Sequence, residues 1–132
     1  MPVPPLDGDL ATVRRSLWPL MRVIVDTVLR GEVEGEPDPV LVDDTTRLLS
    51  EKLVAMPRYL GIGMVGATWT FNQWAISTAG RPFDRLPPEG RRLALARWQT
   101  SRFGLMRSFT DFYGKMGIFL YYSLLEERGV HP

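Results

Sequence analysis

The stretch PFDRLPPEGRRLALARWQTSRFGLMRSFTDFYGKMGIFLYYSLL, residues 82–125, has the longest continuous helical pattern in the chain. It opens with Leu86-Pro87-Pro88-Glu89, which is typical of a helix N-terminus because the first turn needs no amide donors and favours an acidic side chain. Side chains at helical spacing then form one stripe. The stripe consists of Leu95, Trp98, Leu105, Phe109, Phe112, Met116, Phe119 and Ser123. The pattern predicts one long helix from Pro87 to Glu127, which Gly104, Gly114 and Gly117 can bend or divide in two.

A first helix is predicted near the start of the chain. Its apolar residues at helical spacing are Leu10, Val13, Leu17, Leu20, Ile24 and Val28. Pro19 lies inside this pattern, so we expect it to kink the helix or to make it restart with Ser16 as the cap. Gly31 is expected to end the helix.

A second amphipathic helix is predicted after an acidic surface loop at residues 32–39, which is rich in glycine and proline. Asp38 is suited to cap this helix, Pro39 to begin it, and Pro57 to stop it. Its apolar face consists of Leu41, Thr45, Leu48, Leu49, Leu53 and Met56.

Residues 59–80, YLGIGMVGATWTFNQWAISTAG, carry no charge and are about long enough to span a bilayer. The amides of Asn72 and Gln73 near the middle make membrane insertion costly. The glycines at 61, 63 and 66 also fit a dinucleotide-binding fingerprint, but that motif needs a preceding strand, which the sequence does not predict. We favour a buried helix whose glycines let another helix approach and whose contact area comes from Trp69, Phe71, Trp74 and Ile76.

The length and composition of the 132-residue chain indicate an all-α protein with one compact domain, about four to five helices and one long C-terminal helix. Residues 1–8 contain three prolines and are expected to form an extended lead-in. Sixteen basic and 15 acidic residues give a formal net charge of +1, which argues against a nucleic-acid partner.

The location of the protein is predicted to be cytoplasmic, with membrane association left open. The chain has no cysteine, which fits this compartment and excludes disulfides and thiolate chemistry. Arg14-Arg15 precedes an apolar stretch, but Arg22 and Asp26 interrupt that stretch, so we predict no export signal.

Few side chains are suited to catalysis, and we predict no catalytic, cofactor-binding or metal-binding residue in this chain. The only histidine, His131, lies next to the C-terminus, where we expect it to be solvated. The serines and threonines therefore lack a base for a nucleophilic triad. Asp43 and Asp44 point about a third of a turn apart on a helix, which favours a solvated face over a catalytic carboxylate pair.

Aromatic side chains in the last third of the chain are too numerous for one stripe to bury, which predicts a partner-binding surface. The helical phase places Arg102 on the stripe, where it either snorkels, pairs with a carboxylate, or bonds across an interface. Residues 116–125 are apolar on all sides and need cover from the core, a partner or lipid. The candidate partner-binding residues are Trp98, Arg102, Phe103, Phe109, Phe112, Tyr113, Phe119, Tyr121 and Tyr122.

About a third of the sequence carries a family resemblance. The residues that carry it are Pro82-Phe83-x-x-Leu86-Pro87, Arg91-Arg92, Trp98, Ser101, Leu105, Arg107 and Tyr121-Tyr122-Ser123. This pattern resembles the helical segment ahead of the flavin domain in long-chain fatty alcohol oxidases, which belong to the glucose-methanol-choline family. It is also similar to the small subunits of bacterial flavin dehydrogenases, related to the third subunit of gluconate dehydrogenase.

The resemblance implies a non-catalytic accessory subunit that binds and stabilises a separately encoded FAD-dependent alcohol dehydrogenase or oxidase. The FAD and the catalytic histidine would belong to that large subunit. The small subunits of the family carry a twin-arginine signal, and this sequence departs from that pattern. The alternative is a stand-alone helical interaction protein at a lipid surface or one that binds an apolar ligand.

Overall fold

The computed structural model describes residues 10–33 and 36–127, and within them the chain is all-α with no strand. The helices are α1 (Leu10–Glu32), α2 (Pro39–Ala55), α3 (Arg58–Ala79), α4 (Pro88–Gln99), α5 (Gly104–Asp111) and α6 (Gly117–Glu127). A 3-10 turn (Phe83–Arg85) precedes α4, and a π-helical turn (Phe112–Met116) joins α5 to α6. We call residues 104–127 the C-terminal helix. The predicted all-α class with a long C-terminal helix is confirmed.

Some predictions lie outside the described residues. They concern residues 1–8, His131, and the side chains of Leu10, Val13, Arg14, Arg15 and Ser16.

Helix α1 is the centre of the fold, since it packs against α2, α3, α4, α6 and the π turn. It continues through Pro19, so the predicted restart at Ser16 is wrong. The side chains of Leu17 and Leu20, on either side of the proline, are buried, and packing of this face outweighs the backbone hydrogen bond that proline removes. The helix ends one residue beyond Gly31.

Helix α2 begins as predicted. The Asp38 side chain accepts a hydrogen bond from the Val40 amide at 3.0 Å, and Pro39 occupies the first turn. Leu41, Thr45, Leu49 and Leu53 are buried on the predicted face, while Leu48 and Met56 are half-buried.

Helix α3 is formed by the uncharged segment. Within the described residues, no helix combines the length and apolar composition needed to cross a membrane. The three glycines of the fingerprint lie inside α3, with no strand before them in the described part of the chain, so the dinucleotide motif is absent. A Cβ on Gly63 would meet nothing within 4 Å, so close helix approach at this glycine is also wrong.

The predicted long helix is divided at residues 100–103, between α4 and α5. Trp98 and Phe109 are 11 residues apart, and a continuous helix would separate them by about 16 Å along its axis. Their ring centroids are 5.0 Å apart, because both rings pack on Phe71 of α3, at 4.7 Å and 5.1 Å. The chain therefore turns back between α4 and α5, and these aromatic contacts hold the turn.

The buried face of the C-terminal helix lies about one residue later than the predicted stripe. The predicted stripe contains Phe112, Met116, Phe119 and Ser123, yet Phe119 is exposed and the others are half-buried. The side chains buried instead include Tyr113 and Leu120, each one position later. Tyr113 follows the buried Phe109 by four residues, and Gly117 and Leu120 follow at steps of four and three, so the buried face keeps helical spacing in a different phase from the predicted stripe.

Polar side chains fix two of the contacts between elements. The Tyr113 hydroxyl lies 2.9 Å from Thr68 Oγ1, in the buried contact between the π turn and α3. The Asn72 Oδ1 atom accepts a hydrogen bond from the Asp84 amide at 3.0 Å, which ties the 3-10 turn to α3. Asn72 thus stabilises the fold through this hydrogen bond. Its polar side chain is also the feature that argues against a membrane span for this segment.

Candidate functional site

Four of the nine candidate partner-binding residues belong to the chain's own core. Trp98, Phe109, Tyr113 and Tyr121 are buried, each at 5% exposure or less. They pack against side chains of the same chain, so the predicted surface position of these four residues is wrong. Arg102, Phe103, Phe112, Phe119 and Tyr122 remain exposed or half-buried.

The outer face of α6 carries two of these accessible residues. Phe119 is 65% exposed and Tyr122 is 39% exposed. They lie three residues apart, so their side chains are neighbours on one face of the helix. Lys115 and Glu126, four residues before and after the pair, are exposed as well. We call Phe119 and Tyr122 the α6 aromatic face.

A second accessible group lies where α4 meets α5, at residues 100–107, which we call the α4–α5 junction. Phe103 is 55% exposed and Leu105 is 74% exposed. The guanidinium carbon of the exposed Arg102 lies 5.2 Å from the Phe103 ring centroid. The sequence placed Arg102 and Leu105 on the buried stripe, and both placements are wrong because the helix is interrupted immediately before α5.

Ser101 organises the junction. Its hydroxyl accepts a hydrogen bond from the Phe103 amide at 3.1 Å, and the same oxygen lies 3.1 Å from the Met106 sulfur. The Ser101 carbonyl accepts a hydrogen bond from Arg107 Nη1 at 2.7 Å. The exposed side chains therefore project from a backbone that local hydrogen bonds hold.

A charged cleft of about 420 Å³ lies between the end of α1 and the start of α4. Arg30 pairs with Asp26 at 2.8 Å, and this hydrogen bond raises the pKa of the arginine. Arg92 pairs with Glu89, and its hydrogen bond lowers the pKa of that carboxyl. Arg91 donates to a backbone carbonyl at 2.8 Å. The acidic and basic residues lining the cleft are equal in number, and their ion pairs lie within α1, within α4, and between Arg30 and Glu36.

Titratable groups elsewhere serve the fold. Burial raises the pKa of the Tyr113 phenol, although its hydrogen bond with Thr68 opposes the shift. Asp43 pairs with Arg22. In the part of the chain that the structure describes, no three His, Cys, Asp or Glu residues form a group that could hold a metal ion.

The exposure of Leu105 was missed in the sequence, although a signal was present. Thr100 and Ser101 favour local hydrogen bonds over helix, and Gly104 follows them. The exposed Tyr59 and Leu60, in the first turn of α3, were missed too, because the sequence reasoning gave that segment no exposed face.

Fold and surface together define an all-α protein whose described residues include accessible aromatic side chains on α6, at the α4–α5 junction and in the first turn of α3. Comparisons with protein-family models, curated proteins and solved structures found no match to this chain.

Proposed function

We propose that this chain is a non-catalytic accessory subunit that binds and stabilises a separately encoded FAD-dependent alcohol dehydrogenase or oxidase. The observation that carries the proposal is the α6 aromatic face, which exposes Phe119 and Tyr122 on a helix whose opposite side is packed in the core. The class of partner comes from the resemblance of residues 82–123 to helical segments that accompany glucose-methanol-choline flavoproteins.

The surroundings of the α6 aromatic face have the composition that interfaces use. Stable interfaces have an apolar, aromatic centre and a polar rim. Here Phe119 and Tyr122 form the centre, while Lys115 and Glu126 lie at its two ends. An interface of this kind excludes water from the aromatic pair and leaves the flanking charges solvated.

The neighbouring start of α2 extends this surface. The Tyr121 hydroxyl accepts a hydrogen bond from the Asp38 amide at 3.4 Å, so the start of α2 lies beside this part of α6. Val40, two residues further along α2, is 55% exposed. A stable complex buries about 800 Å² on each partner, which is more than two side chains provide. We therefore expect the flavoprotein to cover the aromatic face together with the first turn of α2.

Co-expression with a candidate flavoprotein from the same genome tests the proposal. We expect the two chains to elute together, and we expect the flavoprotein to gain yield, FAD content and alcohol-dependent dye reduction. The double variant Phe119→Ala/Tyr122→Ala should weaken the complex by at least about 30-fold, as expected when interface anchors are truncated.

The matched control is Leu93→Ala, which truncates another exposed apolar side chain, on α4, and should leave the complex unchanged. A flavoprotein that is equally stable, FAD-loaded and active without this chain, with no complex eluting, contradicts the proposal. Loss of the complex with Leu93→Ala but not with Phe119→Ala/Tyr122→Ala would show that the partner binds to a surface that contains Leu93.

A further inference from the structure

The α4–α5 junction lies in the middle of a stretch of sequence whose charged residues are all basic. Between Glu89 and Asp111 the sequence has no acidic residue, although the whole chain has a net charge of only +1. The basic residues in this interval are Arg91, Arg92, Arg97, Arg102 and Arg107.

The three arginines closest to the junction keep an uncompensated positive charge. Arg97, Arg102 and Arg107 are all exposed, and among the described residues none of them forms an ion pair. Arg107 donates to the Ser101 carbonyl, and Arg102 lies against the Phe103 ring. These contacts orient the arginines at the junction without neutralising their charge.

Two large apolar side chains project from this positive surface. Among the described residues of the chain's last third, Leu105, Phe119 and Phe103 are the three most exposed apolar side chains. Phe103 lies in the turn before α5, and Leu105 lies in the first turn of α5. A hydrogen bond to Ser101 holds the backbone at Phe103. This ordered turn exposes an aromatic and an aliphatic side chain between arginines. Such a surface can make apolar contacts and attract anions at the same time.

We propose that the α4–α5 junction docks on the surface of an anionic phospholipid bilayer. Phe103 and Leu105 enter the boundary between headgroups and acyl chains, where their apolar area leaves water. Arg97, Arg102 and Arg107 place their guanidinium groups at the level of the lipid phosphates, with their aliphatic stems along the apolar boundary.

Charge complementarity and shape favour a bilayer over an acidic protein. The apolar tips project from a turn instead of lining a groove, and the uncompensated charges around them are all positive. A protein interface concentrates charge at its rim around a wider apolar centre. A bilayer instead accepts shallow apolar insertion next to a layer of negative charge.

This contact is separate from the proposed flavoprotein contact. Phe119 lies 15 residues beyond Gly104 in the C-terminal helix, which corresponds to about 22 Å along the axis. The junction could therefore hold the chain at a membrane while the α6 aromatic face contacts a partner, and neither proposal depends on the other.

Flotation of the full-length protein with vesicles tests the inference. One set of vesicles contains phosphatidylcholine with about a third phosphatidylglycerol, and the other contains phosphatidylcholine alone. We expect binding to the anionic vesicles, little binding to the neutral ones, and marked weakening on raising NaCl from about 0.1 M to 0.5 M. Phosphate ions at millimolar concentration should not compete, because a free anion offers no apolar boundary.

Two variants separate the apolar and charged contributions. Phe103→Ser/Leu105→Ser should lower vesicle affinity by about ten-fold or more, through lost apolar insertion. Arg97→Gln/Arg102→Gln should lower it by about five-fold for each arginine. The matched control is Leu60→Ser/Ile76→Ser, which alters two exposed apolar residues of α3 and should bind as the unmodified chain does. Circular dichroism checks that every variant keeps its helix content.

The outcomes distinguish an anionic bilayer from an acidic protein as the partner of the α4–α5 junction. Equal binding to neutral vesicles, no binding, or unchanged binding by the junction variants each overturns the proposal. Capture by poly-glutamate that is as tight as vesicle binding and insensitive to Phe103→Ser/Leu105→Ser assigns the junction to an acidic protein instead. Phe119→Ala/Tyr122→Ala should bind vesicles normally, so a failure of the flavoprotein proposal is recognised independently.

Discussion

At the scale of the residue, the same type of side chain has opposite roles according to its packing. Phe109 is buried, and its ring contacts those of Phe71, Trp98 and Tyr113 at centroid distances of 5.0–5.1 Å. Phe119, ten residues later on the same C-terminal helix, is mostly exposed. Stability should therefore depend on the first residue and surface contacts on the second.

Truncation of these two phenylalanines gives a direct comparison. Phe109→Ala should lower the free energy of unfolding by about 3–5 kcal/mol, because it leaves a cavity among the aromatic rings. Phe119→Ala should change it by less than about 0.5 kcal/mol, as is usual for an exposed position. Urea denaturation followed by circular dichroism measures both. Equal losses from the two variants would show that the buried face is assigned wrongly.

The buried phenol of Tyr113 makes a prediction about alkaline pH. Burial raises its pKa in the folded state above the ordinary value of 10.0, so above that pH the unfolded chain releases a proton that the folded chain retains. The stability that this group contributes is complete below pH 10 and falls as the pH rises beyond it. Tyr113→Phe removes the hydrogen bond to Thr68 and should lower the free energy of unfolding by about 1 kcal/mol at neutral pH. Above pH 10 the free energy of unfolding of this variant should fall less steeply with pH than that of the unmodified protein.

Denaturation midpoints measured from pH 7 to 11 test this prediction. Tyr122→Phe, at an exposed hydroxyl, is the matched control and should follow the unmodified protein. Parallel alkaline curves for Tyr113→Phe and the unmodified chain would contradict the assignment.

At the scale of the element, helix ends follow backbone rules that act within a few residues. Asp38 and Pro39 start α2, Pro87 and Pro88 start α4, and Gly80 ends α3 in the left-handed conformation with φ of 84°. Only at Gly80, among the described residues, does the backbone adopt a positive φ. Its amide bonds to the Ile76 carbonyl at 2.9 Å, which closes the last turn of α3.

Two glycine substitutions in α3 should have opposite signs. Gly80→Ala should destabilise by about 1 kcal/mol, because a Cβ is strained at positive φ even where space is open. Gly63→Ala should stabilise by about 0.5–1 kcal/mol, because the site is helical, open and better suited to alanine. Thermal unfolding measures both changes. A loss from Gly63→Ala would indicate a contact on this face of α3.

At the scale of the whole molecule, the core joins elements that are far apart in sequence. The aromatic cluster links α3, the 3-10 turn, α4 and the C-terminal helix through Phe71, Phe83, Trp98 and Phe109. Helix α1 packs against most of the other elements. None of these helices keeps its buried face without the others, so we expect the fold to form and melt as one unit.

Unfolding should therefore give one transition with every probe. Tryptophan fluorescence reports the environment of all four tryptophans, which lie in α1, α3 and α4, and far-ultraviolet circular dichroism reports the helices as a whole. We expect the two urea curves to coincide within error. A fluorescence transition that precedes the loss of helix would show that the packing around the tryptophans is lost before the helices unfold.

The sequence by itself determined the helical class, the starts of α2 and α4, and the inner faces of α1 and α2. These features follow from interactions within about four residues: a capping carboxylate, a proline in a first turn, and apolar spacing. The aromatic and arginine character of the accessible surface was also visible in the sequence, as an excess over what one stripe can bury.

Only the tertiary structure decided where the long pattern breaks and which aromatic side chains remain accessible. The reversal between Trp98 and Phe109 depends on their common contact with Phe71, which lies 27 residues before the nearer of them. Beyond Phe109 the core takes Tyr113 and Leu120 in place of Phe112 and Phe119 from the predicted stripe. Helical periodicity cannot encode either event, because it describes one straight helix and carries no information about the distant side chains that pack against it.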